Sequence, residues 1–477
     1  MLRRALSLVL LLACAARAPM VRAEPAPAPD RARTLYLLAH THEDAGRTDD
    51  AQQAWRALVC QNLYPVAAAG AIAPKPQDNT AEYWRKYRER FHDPRALAKP
   101  SAETRYVEIY PDTCEPAKTT DAALLPKYLA EAWWHIGNWE LEGRDVASGV
   151  VPGEPESVWG LARAASAYRH AAQFPQSAVY PFALYKYATT LRKQQRYAAA
   201  TQGYVQLLAA PGEGALAFRD AALSGLAIAL TYPDFEGPRA DAPYIAKPDV
   251  IDVESPAKAE KALRVAITRV QDAAIVPQDR PWTIALYMRL ARTFVRLGFH
   301  ENALETFSLV LAKAPLAPEA GTARTGAAEA ELALVETFRP RTPAHRAQRA
   351  RALRAALSLT ELSDQSAWAK ANAGDAKVVF LTKSHADGHL LLMMEIELTT
   401  ALDAKKAAKS TKDTRMSEEH WSDASAAYLA TVQCTRAALQ LSPDRSDVQA
   451  LREIGNQAQL EYERIQGLLK RPVETVP

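Results

Sequence analysis

The side chains that could do chemistry are few and scattered. His385 and His389 stand four apart in a stretch of helical periodicity, which puts both on one face, and His40 and His42 lie beside Glu43 and Asp44. Imidazoles at such spacings are a usual start for a zinc site. The run Ser384-His385-Ala386-Asp387-Gly388-His389 lacks the glutamate of the protease arrangement, however. The histidines are therefore read as solvated or core residues, and no metal centre is expected. No Gly-x-Ser-x-Gly elbow and no Gly-rich phosphate loop is present, and no histidine-bearing signature surrounds a cysteine. Glu418-Glu419 reads as the first turn of a helix, where negative charge suits the macrodipole. The expectation is a chain that is not an enzyme and needs no cofactor.

The densest charge is basic: Arg339 and Arg341, then Arg346, Arg349, Arg351 and Arg354. A guanidinium cluster can fork onto phosphates or carboxylates of lipids and glycans. The plainer reading, an exposed helix face whose stems lie along apolar surface, is preferred. A formal net charge of +3 does not argue for a nucleic-acid partner.

These residues need elements to hold them, and the composition favours helices. Gly is scarce at 19 in 477 residues, and the apolar-periodic stretches carry few β-branched side chains. Residues 1–23 read as a signal peptide: Met1-Leu2-Arg3-Arg4 is positive, Ala5 to Ala16 is apolar, and Val21-Arg22-Ala23 precedes Glu24. The run is shorter than the ~20 apolar residues of a spanning helix, so no transmembrane helix is expected in the mature chain. Leu11-Leu12-Ala13-Cys14 also resembles a bacterial lipobox, which would make Cys14 a lipidation site. Export would place Cys60 and Cys114 where they could pair; burial of Cys60, Cys114 and Cys434 as small apolar residues is the equal alternative.

Repeats organise the rest. Ile284 to Pro318 carries Tyr287, Leu290, Ala291, Phe294, Ala303, Phe307, Val310 and Pro315. Pro181 to Gly214 repeats the frame with Leu184, Tyr187, Ala188, Leu191, Ala200, Tyr204 and Leu207, and Leu35 to Cys60 with Leu38, Ala39, Gly46, Ala51, Trp55 and Leu58. This pattern resembles the ~34-residue tetratricopeptide repeat (TPR), in which small residues let two helices approach and an aromatic fills the gap beside them. Further helices are expected over Leu125 to Glu142, Val158 to Phe174, Leu216 to Thr231, Ala257 to Asp272, Ala317 to Phe338, Pro343 to Leu362, Asp375 to Ala404, Glu418 to Leu441 and Asp447 to Leu469, the last pair capping the array.

The expected fold is all-α, a TPR-type helix-turn-helix solenoid with irregular inserts; the resemblance implies a right-handed superhelix. The expected segments are an N-terminal TPR-like region at 24–123, a central array at 124–318 with a Pro-rich insert at 232–256, C-terminal helices at 319–470 and a tail at 471–477. The insert at Leu63 to Ala123 is expected to be irregular, with a charged helix at Ala81 to Phe91 and a β-like run at Tyr106 to Tyr110. Ala404 to Asp413, rich in lysine, is read as a solvated linker or frayed helix end.

The resemblance also implies a peptide-binding groove on the first helices of the repeats. Its residues here would be Phe182, Tyr185, Thr189, Arg192 and Lys193, and Ala285, Met288, Arg292, Val295 and Arg296, a mix of apolar anchors and cations suited to acidic segments. Carboxylate-clamp members carry Lys and Asn where this chain has Tyr185 and Thr189, so that clamp is not expected. The N-terminal repeat shows Tyr36, His40, Glu43 and Asp44 instead, a change of sign.

Glu131-Ala132-Trp133-Trp134-His135-Ile136-Gly137, Asp234-Phe235-Glu236-Gly237-Pro238 and Val276-Pro277-Gln278-Asp279-Arg280-Pro281-Trp282 are similar to stretches of large myxobacterial periplasmic or outer-membrane-associated TPR proteins, some of the gliding-motility type. Trp133 and Trp134 are expected to close a junction to a loop. The resemblance implies a non-catalytic scaffold for protein partners in a Gram-negative envelope, periplasmic or outer-membrane-associated. The alternatives are an outer-membrane lipoprotein of an assembly machine and, from another class, a glycan-binding protein or enzyme.

Overall fold

A computed structural model describes residues 30–61, 115–143, 155–194, 196–232 and 256–470. The leader, Cys14, Cys114, the insert at 62–114, Asp234 to Pro238 and the tail at 471–477 lie outside the described residues. Within them the chain is all-helical, with 17 α-helices and no strand. They are α1 Arg31–Asp44, α2 Thr48–Val59, α3 Leu125–Asn138, α4 Pro155–Ala171, α5 Tyr180–Lys193, α6 Tyr197–Ala209, α7 Glu213–Ala217, α8 Arg219–Thr231, α9 Pro256–Gln271, α10 Pro281–Arg296, α11 His300–Lys313, α12 Pro318–Val335, α13 Pro343–Leu357, α14 Ala367–Ala371, α15 Ala376–Ser410, α16 Thr414–Leu441 and α17 Val448–Leu469. They form two compact units, one ending at Ala183 and one beginning at Leu184.

Helix starts follow local chemistry. Asp30, Thr342, Ser366, Asp375 and Asp413 each cap a helix by accepting a hydrogen bond from the backbone N–H three residues on, while Pro281, Pro318 and Pro343 occupy first turns where a missing donor costs nothing. Because Asp413 caps α16, Glu418 and Glu419 fall in its second turn rather than its first.

Three helix pairs close with one geometry. At the end of α1 the N–H of Arg47 donates to His42 O at 2.8 Å, at the end of α5 Arg196 donates to Leu191 O at 2.9 Å, and at the end of α10 Phe299 donates to Phe294 O at 2.9 Å. This five-residue reach is the outer bond of a Schellman closure. The backbone angles (φ, ψ) then agree closely: −91°, 72° at Arg47, −91°, 67° at Arg196 and −88°, 63° at Phe299. Gly46 and Gly298 supply the left-handed residue just before, at φ 69° and 80°. The next helix opens alike in each case, through Ala51, Ala200 and Ala303. The same frame sets Trp55, Tyr204 and Phe307 at one station of the second helix, all essentially buried.

Glycine makes room for three of the rings that pack between helices. A Cβ on Gly137 would lie 2.5 Å from the Tyr168 ring, one on Gly225 2.3 Å from Tyr204, and one on Gly326 2.5 Å from Phe307. Burial of each such side chain contributes about 1.5–3 kcal/mol.

In the unit ending at Ala183, α1, α2 and α3 pack in sequence and α4 packs on α3. A π-helical turn, Trp139–Gly143, continues α3. It turns Glu140 inward between Arg56 and Arg163, at 3.0 and 2.5 Å, and all three side chains are buried. Trp133 stacks on His170 of α4 with centroids 4.5 Å apart, and Trp134 meets Phe182 edge-on. Among the described residues the tryptophan pair thus meets helices α4 and α5.

In the unit beginning at Leu184, neighbouring helices pack in turn from α8 to α13, and the connector Val276–Trp282 is pinned: Gln278 donates to Val270 O and Val276 O at 2.5 and 2.7 Å. The C-terminal helices depart from the repeat. At 35, 28 and 22 residues, α15, α16 and α17 are longer than the 12 to 16 residues of α1, α2, α10 and α11. Helix α15 runs on to Ser410, which corrects the expected linker. A buried alanine stripe, Ala401, Ala404 and Ala408, runs into the Lys-rich segment; Ala401 and Ala404 belong to a core with Ala424, Tyr428 and Tyr462.

Candidate functional site

The common turn geometry puts the candidate groove residues in register. Tyr36, Tyr185 and Met288 share one station of the first helix; His40, Thr189 and Arg292 share the next; Glu43, Arg192 and Val295 a third; Asp44, Lys193 and Arg296 a fourth. The structure treats them differently.

Met288 is 3% exposed and lies in the core, which removes it from any binding face; a long apolar chain at that station packs inward. Tyr185 stacks on Phe218 with centroids 4.9 Å apart. Thr189 shares a hydrogen bond with the Tyr204 hydroxyl at 3.1 Å, and the Arg192 guanidinium lies against the same hydroxyl. Burial pushes the Tyr204 phenol up, against the opposing pull of Arg192 and Thr189. Phe182 is 42% exposed, and Lys193, Arg292 and Arg296 are exposed too. Arg292 and Arg296 have no ion-pair partner among the described residues.

The basic run is largely spent on packing. Arg346 forks onto Asp423 of α16 at 2.9 and 3.1 Å, Arg349 onto buried Glu397 of α15, and Arg351 reaches Gln348 at 2.9 Å and Glu331 of α12 at 3.8 Å. Arg354 is exposed. Helix α13 thus fastens α12, α15 and α16; Arg339, Arg341, Arg346, Arg351 and Arg354 stay exposed as the solvated-face reading expects, and only Arg349, half-buried on Glu397, departs from it.

Cys60 is disulfide-bonded, with its partner outside the described residues. The chain just after position 114 runs against α2: Gln61 N–H donates to Glu115 O, and Ala117 N–H to Leu58 O, both at 2.8 Å. Cys434 is a free, buried thiol, pushed up to about 12 by burial and by the Glu397 charge.

The histidines separate in an unexpected way. His385 is exposed while His389, one turn on along the same helix, is buried, so only one of the pair is open to solvent. His42 is buried and accepts from Arg47 Nε at 2.9 Å. His40 points elsewhere, into a cluster with α3. Its Nδ1 is 3.6 Å from Glu43 Oε2 and its Nε2 is 3.6 Å from Glu131 Oε2. His135 Nδ1 lies 2.8 Å from Glu43 Oε1, which also accepts from the Trp55 indole at 2.9 Å. Tyr36 donates to Glu131. Burial pushes the Glu43 carboxyl up, but hydrogen bonds from His135 and Trp55 with the charges of both histidines outweigh it and hold Glu43 below its usual value. Burial and Glu131 push the Tyr36 phenol up, so it stays a donor.

Aromatic rings wall the cluster. Trp55 stacks on His135 at 4.7 Å with planes 10° apart, and meets His40 edge-on at 5.0 Å. Among the described residues, His40, Glu43 and His135 are the group whose donor atoms lie close enough together, within 4.8 Å, to hold a metal ion. His135 went unpaired in sequence because only the packing of α3 on α1 brings it to His40.

The fold and these stations define an all-α chain of neighbouring helix pairs. Comparison with protein-family models and with curated proteins finds no match for it. No helix among the described residues is long and apolar enough to cross a membrane.

Proposed function

We propose that this chain is a TPR-type scaffold of a Gram-negative envelope, exported by its leader and holding protein or peptide partners through the first helices of its repeats. The carrying observation is the contrast in how arginines are used. Arg346, Arg349 and Arg351 of α13 are engaged by carboxylates of neighbouring helices, whereas Arg292 and Arg296 stand exposed, with no ion-pair partner among the described residues, one turn apart on the first helix of a repeat. Cations left over from packing are available to a ligand, and an acidic segment is the complement. Three closures of one geometry support the repeat reading, and the Cys60 disulfide supports an oxidising compartment. Outer-membrane association and a place in a motility or assembly complex are the finer form of this proposal.

The test is crosslinking with mass spectrometry in the native host, comparing wild type with an Arg292→Glu, Arg296→Glu double variant. Arg192 is left intact because it braces Tyr204. Loss of the partner crosslinks with unchanged thermal unfolding is expected; an unaltered crosslink pattern would sink the reading.

A further inference from the structure

We propose that α1 and α3 hold one zinc-class divalent ion through His40, Glu43 and His135, with Trp55 and Glu131 orienting the ligands.

The donor set is the first argument. Two imidazoles and a carboxylate suit a borderline transition metal and are a poor match for calcium or magnesium, which take oxygen donors. Spacing is the second. Zinc bonds of about 2.0–2.1 Å in a tetrahedron place neighbouring donor atoms roughly 3.4 Å apart. The observed separations, 2.8 Å from His135 Nδ1 to Glu43 Oε1 and 3.6 Å from His40 Nδ1 to Glu43 Oε2, fall on either side of that edge, and one ligand atom from each of the three residues lies within 4.8 Å of the others. Side-chain rotation alone would complete the triangle, with the His135 proton displaced by the ion.

The outer groups supply the third argument. Metal-bound imidazoles are usually oriented by a carboxylate on their other nitrogen, and metal-bound carboxylates by a donor of their own. His40 presents Nδ1 to Glu43 and Nε2 to Glu131, whose own place is fixed by Tyr36. Glu43 receives the Trp55 indole, and the His135 ring is held flat against that same indole. Nor does repeat closure need this chemistry. The stations of His40 and Glu43 are filled by Thr189 and Arg192 in one repeat and by Arg292 and Val295 in the other, with the same turn retained. Three protein ligands leave a fourth position for water, and His40 at 37% exposure puts the site within reach of solvent.

The experiment uses tag-free full chain stripped with EDTA and titrated calorimetrically with zinc chloride. One zinc per chain is expected. Glu43→Gln, which keeps the shape and can still accept from Trp55, should abolish that event, as should a His40→Ala, His135→Ala double variant. Glu131→Gln should weaken it about 10–100-fold, and His385→Ala should leave it unchanged. A measurement on wild type alone covers the case of a variant that does not fold: zinc should protect His40 and His135, but not His385, from diethylpyrocarbonate. Absence of stoichiometric zinc uptake, full binding by Glu43→Gln, or unprotected His40 and His135 overturns the assignment.

Discussion

Gly225 of α8 lies so close to Tyr204 of α6 that a single added methyl group would sit 2.3 Å from the ring carbon bearing the hydroxyl. The ring cannot swing aside, since Tyr204 is buried and its hydroxyl is held by Thr189. Gly225→Ala should therefore overpack the contact and cost about 1–3 kcal/mol. Gly388 of α15 is the internal control. Nothing lies within 4 Å of its would-be Cβ, so Gly388→Ala should gain about 0.5–1 kcal/mol from helix propensity and reduced unfolded-state freedom. Urea unfolding of both variants checks the opposite signs; equal shifts would show that the close approach is not what selects glycine at position 225.

The repeat frame was legible because it rests on local signals. Small and aromatic residues recur at helical spacing from Leu35, Pro181 and Ile284, and a helix-ending turn follows each. What the sequence hid was of two kinds. Lysines over 404–413 masked an alanine stripe, because alanine scores weakly as apolar although it packs tightly against Tyr428 and its neighbours. The candidate metal cluster and the buried charges were hidden by distance along the chain: His40 needs His135, and Arg56 needs Glu140. One cue for Arg56 was available, since it sits between Trp55 and Leu58 in a run that is buried from Ala54 to Cys60.

The triad of Arg56, Glu140 and Arg163 joins α2, α4 and the π-helical turn away from water. Removing the central carboxylate takes from both buried guanidiniums the counter-charge they share; the Arg56 guanidinium also lies over the Trp139 ring at 4.8 Å. Glu140→Gln should cost about 3–5 kcal/mol, whereas an apolar triple replacement, Arg56→Met with Glu140→Leu and Arg163→Met, should be nearly neutral or stabilising. Denaturant unfolding separates the cases. A triple variant as damaged as the single one would mean that the three groups are needed for shape rather than for mutual neutralisation.

His389 makes stability depend on pH in a direction that can be worked out. Burial lowers its pKa from 6.5 to about 4, so it is neutral in the folded chain while the unfolded chain protonates it near its ordinary value. Between about pH 4 and 6.5 the unfolded state binds more protons, and stability must fall as pH falls through that window. The full shift corresponds to about 3 kcal/mol, and by pH 5 about 2 kcal/mol should already be lost relative to pH 7.5. His42 and His345 are lowered as well, each chiefly by burial, and slope the same way, so replacing His389 removes part of the effect. Asp387 is raised by burial and opposes them, contributing stability that is present at low pH and lost as pH rises. Urea unfolding at pH 7.5 and pH 5 should therefore show a smaller difference for His389→Met than for wild type, by about 2 kcal/mol. A methionine can fill the same volume without a titrating group, so an unchanged pH slope in that variant would place the proton uptake at another residue.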